Sequence, residues 1–188
     1  MIRRLAVAAA LCTSLASVPA ASAWAATQEL PTDGSWSAFD VDVLFASTDA
    51  WIDLGGDLLA FSFTTTGPVR LDVVDGGFSG DVFELFDHGE SIGYTGVAGG
   101  SYPDSLGLDF DAAWATPSYS QGSFLLEAGT HLITGRLAVS ARDDLGQTLD
   151  ATVGALRVSA VPEPEDWVML LAGLGIMGFV HVRRQRRA

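Results

Sequence analysis

Carboxylates are the side chains whose spacing in this sequence comes nearest to chemistry. The stretch "DVVDGGFSGD" sets Asp72, Asp75 and Asp81 around a glycine-rich bend. Calcium takes roughly six to eight oxygens from clustered carboxylates and carbonyls, so these three form a candidate calcium site. The spacing departs from the EF-hand loop, which places its ligands at alternate positions before an invariant glycine. A second acidic loop, "STDAWIDLGGD", carries Asp49, Asp53 and Asp57. Aspartate and glycine are also what turns use, so solvated turns are the competing reading at both places.

Other constellations are thinner. His88 and His131 lie more than 40 residues apart with neither HxH nor HExxH spacing, which argues against zinc. An exposed cleft holding either histidine against a carboxylate would point to a hydrolase. Ser79 in "GGFSGD" lacks the glycine-flanked elbow of a serine nucleophile. Glycosidases need two carboxylates at set separations, and with so many acids the mere presence of pairs discriminates nothing. Trp36, Trp51 and Trp114 could offer rings to sugars; Trp114 reads as core, and Trp51, in the acidic loop, is the one expected to be exposed. No enzymatic activity is expected from this set.

These groups sit in an acidic chain. Between residues 24 and 160 there are 20 Asp or Glu against four Arg and no Lys, a balance of −16. Such a surface repels nucleic acid, which requires a basic footprint, and keeps a protein soluble. The 188 residues allow one ordinary domain with appendages. Residues 1–23 join Arg3 and Arg4 to the apolar run Leu5–Leu15 and the small-residue site Ala21-Ser22-Ala23, the pattern of a cleavable secretory signal. Cleavage is expected after Ala23 or Ala25. Cys12, the single cysteine, would leave with it, so the domain beyond needs a hydrophobic core in place of disulfides.

Residues 24–35 read as a linker and 36–160 as the domain. Its dominant period is two. "LLAFSFTTT" puts Leu59, Phe61 and Phe63 on one face; "PVRLDVV" alternates Val69, Leu71 and Val73 with Arg70 and Asp72; "LGLDFDAAW" alternates Leu106, Leu108, Phe110, Ala112 and Trp114 with Asp109 and Asp111. Each pattern predicts a strand with one buried face. Further strands are expected over 36–45, 81–87, 90–95, 123–127, 130–140 and 148–160. Hairpins are expected at Asp87-His88-Gly89-Glu90 and at Ala128-Gly129. Eight or nine short strands without a helical stripe predict an all-β fold, an antiparallel β-sandwich of jelly-roll type.

The last segment, residues 161–188, has three parts. Pro162-Glu163-Pro164 resists helix and sheet pairing and leaves an extended peptide. Residues 167–182 form an apolar run, led by Trp167, whose helical length of roughly 24 Å falls somewhat short of a bilayer core. Arg183, Arg184, Arg186 and Arg187 follow, and such positive flanks stay cytoplasmic, holding the domain outside the inner membrane. This order resembles the PEP-CTERM sorting signal. The resemblance covers about 27 residues and implies a substrate of exosortase, the membrane transpeptidase of exopolysaccharide-producing Gram-negative bacteria, with Pro162, Glu163 and Pro164 as the recognised motif. The strand patterns resemble, more loosely, cargo domains that carry such tails.

The expectation is therefore an exported, exosortase-processed protein of the cell surface or extracellular matrix with a structural or matrix-binding role. Its partners would be exosortase during export, the inner membrane before processing and extracellular polysaccharide. A calcium-dependent carbohydrate-binding module and an uncharacterised hydrolase are the alternatives.

Overall fold

The computed structural model describes residues 26–161 and, in the tail, residues 171, 172, 174 and 177. The expected leader (1–23), the motif Pro162, Glu163 and Pro164, and the flanking Trp167, Arg183, Arg184, Arg186 and Arg187 lie outside the described residues. Among the described residues no helix is long and apolar enough to cross a membrane.

The described chain is mostly strand. In order it runs β1 (Ala26–Glu29), β2 (Ser37–Asp42), α1 (Val43–Ala46), β3 (Leu59–Thr65), β4 (Val69–Asp75), β5 (Gly77–Phe78) and β6 (Val82–Asp87). It continues with β7 (Glu90–Tyr94), β8 (Ser105–Gly107), α2 (Phe110–Ala115), β9 (Gln121–Leu126), β10 (Gly129–Val139) and β11 (Ala151–Ala160). One sheet has the order β1-β3-β10-β6-β7, the other β2-β11-β4-β9, and β5-β8 form a small third ladder. Every pairing is antiparallel except β1 against β3. Apart from the β6–β7 hairpin, successive long strands alternate between the two large sheets. That winding is what a jelly roll requires.

The main core lies between the sheets, where period-two faces meet. Leu59, Phe61 and Phe63 of β3 face Val69, Leu71 and Val73 of β4, all buried as the alternation predicts. At the centre Phe39 stacks on Trp51 with ring centroids 3.9 Å apart. Two glycines make this possible: a Cβ on Gly135 would overlap the Trp51 indole, and one on Gly154 would overlap the Phe39 ring. Trp51 is thus fully buried, and the expectation that it is exposed is corrected. Its acidic neighbours in sequence belong to the turn; its ring belongs to the core.

Other expectations change. Residues 24–35, expected as a linker, contain β1, which pairs with β3, and Leu30, which is buried in the core; the strand expected over 36–45 ends at Asp42, after which α1 begins. "LGLDFDAAW" is not a strand across Leu106 to Trp114: β8 ends at Gly107, and α2 begins at Phe110. Asp109 caps that helix, its Oδ1 accepting from the Ala112 N–H at 3.0 Å. Phe110 and Ala113, three apart, then turn one face onto Val74 and Ala155 of the second sheet. Over so few residues a two-residue alternation and a helical turn share the same letters, and the aspartate cap decides. The expected hairpin at Ala128-Gly129 is instead a crossing between sheets, because β9 pairs with β4 while β10 pairs with β3 and β6. The other expected hairpin forms: Asp87 pairs with Glu90, and His88 and Gly89 have φ of 50° and 85°, the positive pair of a two-residue type I′ turn.

Candidate functional site

The aspartates proposed for calcium separate. Asp72 points from β4 to the outer face of its sheet, where it is fully buried. Arg70 Nε lies 3.0 Å from its Oδ1 and Arg157 Nε 3.2 Å from its Oδ2, while Ser123 Oγ donates to Oδ1 at 2.6 Å. The strand alternation sends Asp72 and Asp75 to opposite faces, so one ion cannot reach both from β4. Asp75 and Asp81 do come together. Asp75 Oδ2 accepts from the N–H groups of Gly80 (3.1 Å) and Asp81 (3.2 Å). Asp81 Oδ1 accepts from Ala141 N–H at 2.7 Å, and its Oδ2 from Thr152 Oγ at 2.6 Å.

Three of the four oxygens in this pair therefore receive donors; Asp75 Oδ1, buried, meets none. Burial, then the charge of Asp81, pushes the Asp75 carboxyl up to about 9, so it holds its proton at neutral pH. Burial also raises Asp81. The pair fastens the 75–81 bend to the chain around Ala141 and to β11. Among the described residues no group of three or more histidine, cysteine, aspartate or glutamate side chains is placed to hold a metal ion. The calcium assignment to Asp72, Asp75 and Asp81 together is accordingly corrected: the first belongs to an arginine pair, the other two to a loop fastening.

The remaining candidates also resolve into structural roles. Asp53 Oδ1 accepts from Gly55 N–H (2.8 Å) and Asp57 N–H (3.0 Å), the local pattern that shapes an aspartate turn. His131 does meet a carboxylate, with Nδ1 2.7 Å from Asp87 Oδ2, but its Nε2 lies 3.0 Å from the Glu127 carbonyl and its ring stacks on Phe63. Both ring nitrogens face acceptors within the fold, leaving none for a substrate. Trp36 and Trp114 form a half-buried pair with centroids 5.9 Å apart, and the Arg157 guanidinium lies over both rings.

The sequence reading missed one cavity altogether. A groove of about 410 Å³ lies beside α1, bounded by the ends of β2, β5 and β11 and by the 52–56 turn. That volume falls in the range of roughly 300–1,000 Å³ common for binding pockets. Its lining is mainly apolar, with Phe45, Ile52, Leu54, Phe78 and Leu149, and it includes Asp40, Asp42, Asp53 and Asp81. Leu44, Phe45 and Leu54 beside it are 76%, 70% and 96% exposed, although large apolar side chains normally turn inward. The one signal available beforehand was "VLFAS" after a strand, an apolar run with no period-two partner face.

Strand β11 fixes where the groove stands. Ala151 pairs with Asp42 beside it, and Ala160, nine residues on, pairs with Val69 at the opposite end of the sandwich. At about 3.3 Å per residue these points are roughly 30 Å apart. Val161 N–H then donates to the Pro68 carbonyl at 3.2 Å, and Pro162 is the next residue.

No family model matches this chain, and no curated protein matches it. Among solved structures it is similar to the pre-peptidase C-terminal domain of a collagenase from Bacillus anthracis, at 7% identity and a TM-score of 0.39, over 71% of this chain and 94% of that one. It is also similar to PliG, a periplasmic inhibitor of g-type lysozyme from Aeromonas hydrophila, at 14% identity and a TM-score of 0.36, again over 71% and 94% of the two chains. Neither likeness is close enough to carry an activity across.

Proposed function

We propose that this chain is an exported protein of the cell surface or extracellular matrix, delivered by a PEP-CTERM-type tail and processed by exosortase, whose β-sandwich has a structural or matrix-binding role. The observation that carries the reading is the junction. The sheet's last backbone bond is at Val161, and the Pro-Glu-Pro triplet starts one residue later. Proline has no N–H to donate to a ladder, so two prolines flanking a glutamate suit the triplet to recognition as a peptide. A processing enzyme needs an accessible segment, and in the sequence this one follows β11, which ends at Ala160. The acidic, disulfide-free sandwich suits life outside the membrane, and the groove lies at the end away from Ala160.

A calcium-dependent sugar site draws no support from the geometry, because Asp72 is engaged by arginines and Trp51 is buried. For a hydrolase, both His131 nitrogens face acceptors within the fold, and His88, exposed in its hairpin turn, turns Nε2 to the Thr130 carbonyl at 2.9 Å, with Asp87 Oδ1 at 3.8 Å. The proposal is tested with Glu163→Ala, expressed in an exosortase-bearing host and in the same host without the enzyme. Membrane integration should be unchanged, since the residue lies outside the apolar run, while conversion to the smaller form should stop. Identical mature product from the variant and the parent, in both hosts, would make the tail an ordinary anchor.

A further inference from the structure

The groove beside α1 supports an inference independent of how the chain is exported. Its exposed apolar residues are held in place. Asp42 caps α1, accepting from Phe45 N–H at 2.8 Å, and fixes the helix that presents Phe45. Across from it, Gly56 has φ +87°, and a Cβ there would overlap the Phe45 ring, so the glycine makes room for the ring against the turn. A lip ordered in advance loses less freedom when a partner arrives.

Charge identifies the partner. Among the described residues no lysine, arginine or histidine lines the groove. Asp81 has both oxygens engaged, and Asp42 and Asp53 each use Oδ1 on local backbone donors. Asp40 differs: among the described residues no donor reaches its carboxylate, and burial, then the charge of Asp53, pushes its carboxyl upward. A half-buried carboxylate without a counter-ion, beside a second acid, is relieved by a cation. The apolar lining offers few partners to a hydroxyl-rich sugar, and the aspartates repel anionic lipid. An apolar side chain flanked by positive ones satisfies both features.

We propose that this groove docks a basic peptide segment, with an apolar side chain seated between Phe45 and Leu54 and an adjacent lysine or arginine paired with Asp40 and Asp53. The site opens at the Ala151 end of β11, remote from Ala160.

The test uses the full chain in neutral phosphatidylcholine nanodiscs, with empty discs as blank, and a fluorescein-labelled peptide alternating lysine and leucine. Anisotropy should show saturable binding that weakens as salt rises. Asp40→Asn should weaken it by about fivefold, and the double change Phe45→Ser, Leu54→Ser by about tenfold or more. Glu127→Gln, at the other end of the sandwich, should leave it unchanged, and circular dichroism should show all variants folded. Equal binding of a peptide with glutamate in place of lysine, or binding indifferent to Phe45 and Leu54, would overturn the proposal. So would neutral vesicles or dextran bound through those two residues in place of the peptide. Failure here leaves the processing experiment untouched, and the reverse also holds.

Discussion

Strand β11 passes from Ala151, beside a groove with exposed Phe45 and Leu54 and an Asp40 that no donor among the described residues reaches, to Ala160, near which several polar groups find partners within the fold. Near the second end His131 is held between Asp87 and the Glu127 carbonyl, His88 Nε2 meets the Thr130 carbonyl at 2.9 Å, and Thr65 Oγ donates to the Gly67 carbonyl at 2.6 Å. Both ends are built from the same sheets, and both have turns that contain glycine. The difference lies in whether the polar and apolar groups find partners inside the chain. An end that satisfies itself needs nothing more, and here it is the end at Val161. An end that leaves a carboxylate and large apolar side chains unmatched is the one built to meet something else.

The harshest way to break this contrast is to remove the core that both ends share. Gly135→Val drives a side chain into Trp51, which is stacked on Phe39 and has no room to retreat. Overpacking of this kind should cost about 3 kcal/mol or more, abolishing cooperative unfolding or lowering its denaturant midpoint sharply. A midpoint equal to the parent's would mean the Trp51–Phe39 stack is not the keystone of the sandwich.

A more local break is Asp81→Ala. It strands the Ala141 N–H and the Thr152 hydroxyl, for an expected loss of about 2–3 kcal/mol. Hydrogen exchange should speed up around residues 75–81 and 141–152, while the hairpin at His88 keeps its protection. Uniform loss of protection would show that the two ends are not separable.

Asp75→Asn should act in the opposite direction. The folded carboxyl keeps its proton up to about pH 9, whereas in the unfolded chain it ionises near its ordinary value of 3.8. Below about pH 4 both states hold the proton. Between about 4 and 9 only the folded state does, so the acid's contribution to stability falls as pH rises, and it levels off above about 9. The amide keeps an acceptor for the Gly80 and Asp81 N–H groups and carries no ionisation cost. The variant should therefore be more stable than the parent at pH 7–8, by about 1 kcal/mol or more, with the gap shrinking toward pH 4. Melting temperatures measured across that range decide it; a variant less stable at pH 8 contradicts the assignment of a neutral Asp75.

The smallest effect should come from the lip. Leu54→Ser, at a side chain 96% exposed, should move stability by no more than about 0.5 kcal/mol. A large loss would make Leu54 part of the scaffold and remove the main ground for calling this end unsatisfied.

What could be read beforehand divides along the same line. The alternations in β3 and β4, and the paired positive-φ turn at His88-Gly89, are local patterns, and local patterns suffice for strands and tight hairpins. The crossing after Leu126 has the letters of a hairpin, because the sheet each strand joins depends on partners far away in sequence. Trp51 sits among turn residues, yet its ring is accommodated by Gly135, 84 positions on. The calcium reading took three nearby aspartates as one cluster; alternation along β4 turns Asp72 away, and Arg157, from β11, claims it. The groove was invisible because β2, β5, β11 and two turns each supply only part of it. The tail is the opposite case: its three parts are contiguous in the sequence, and its reading rests on that pattern alone.

The central claim is that this sandwich is cargo carrying a removable delivery signal. Mass spectrometry of both termini of the protein recovered from an exosortase-bearing host tests it most directly. The account predicts an N-terminus at residue 24 or 26 and a C-terminus that has lost the peptide containing Arg183, Arg184, Arg186 and Arg187. Recovery of those four arginines on the mature protein, at full abundance and with the enzyme present, would contradict it.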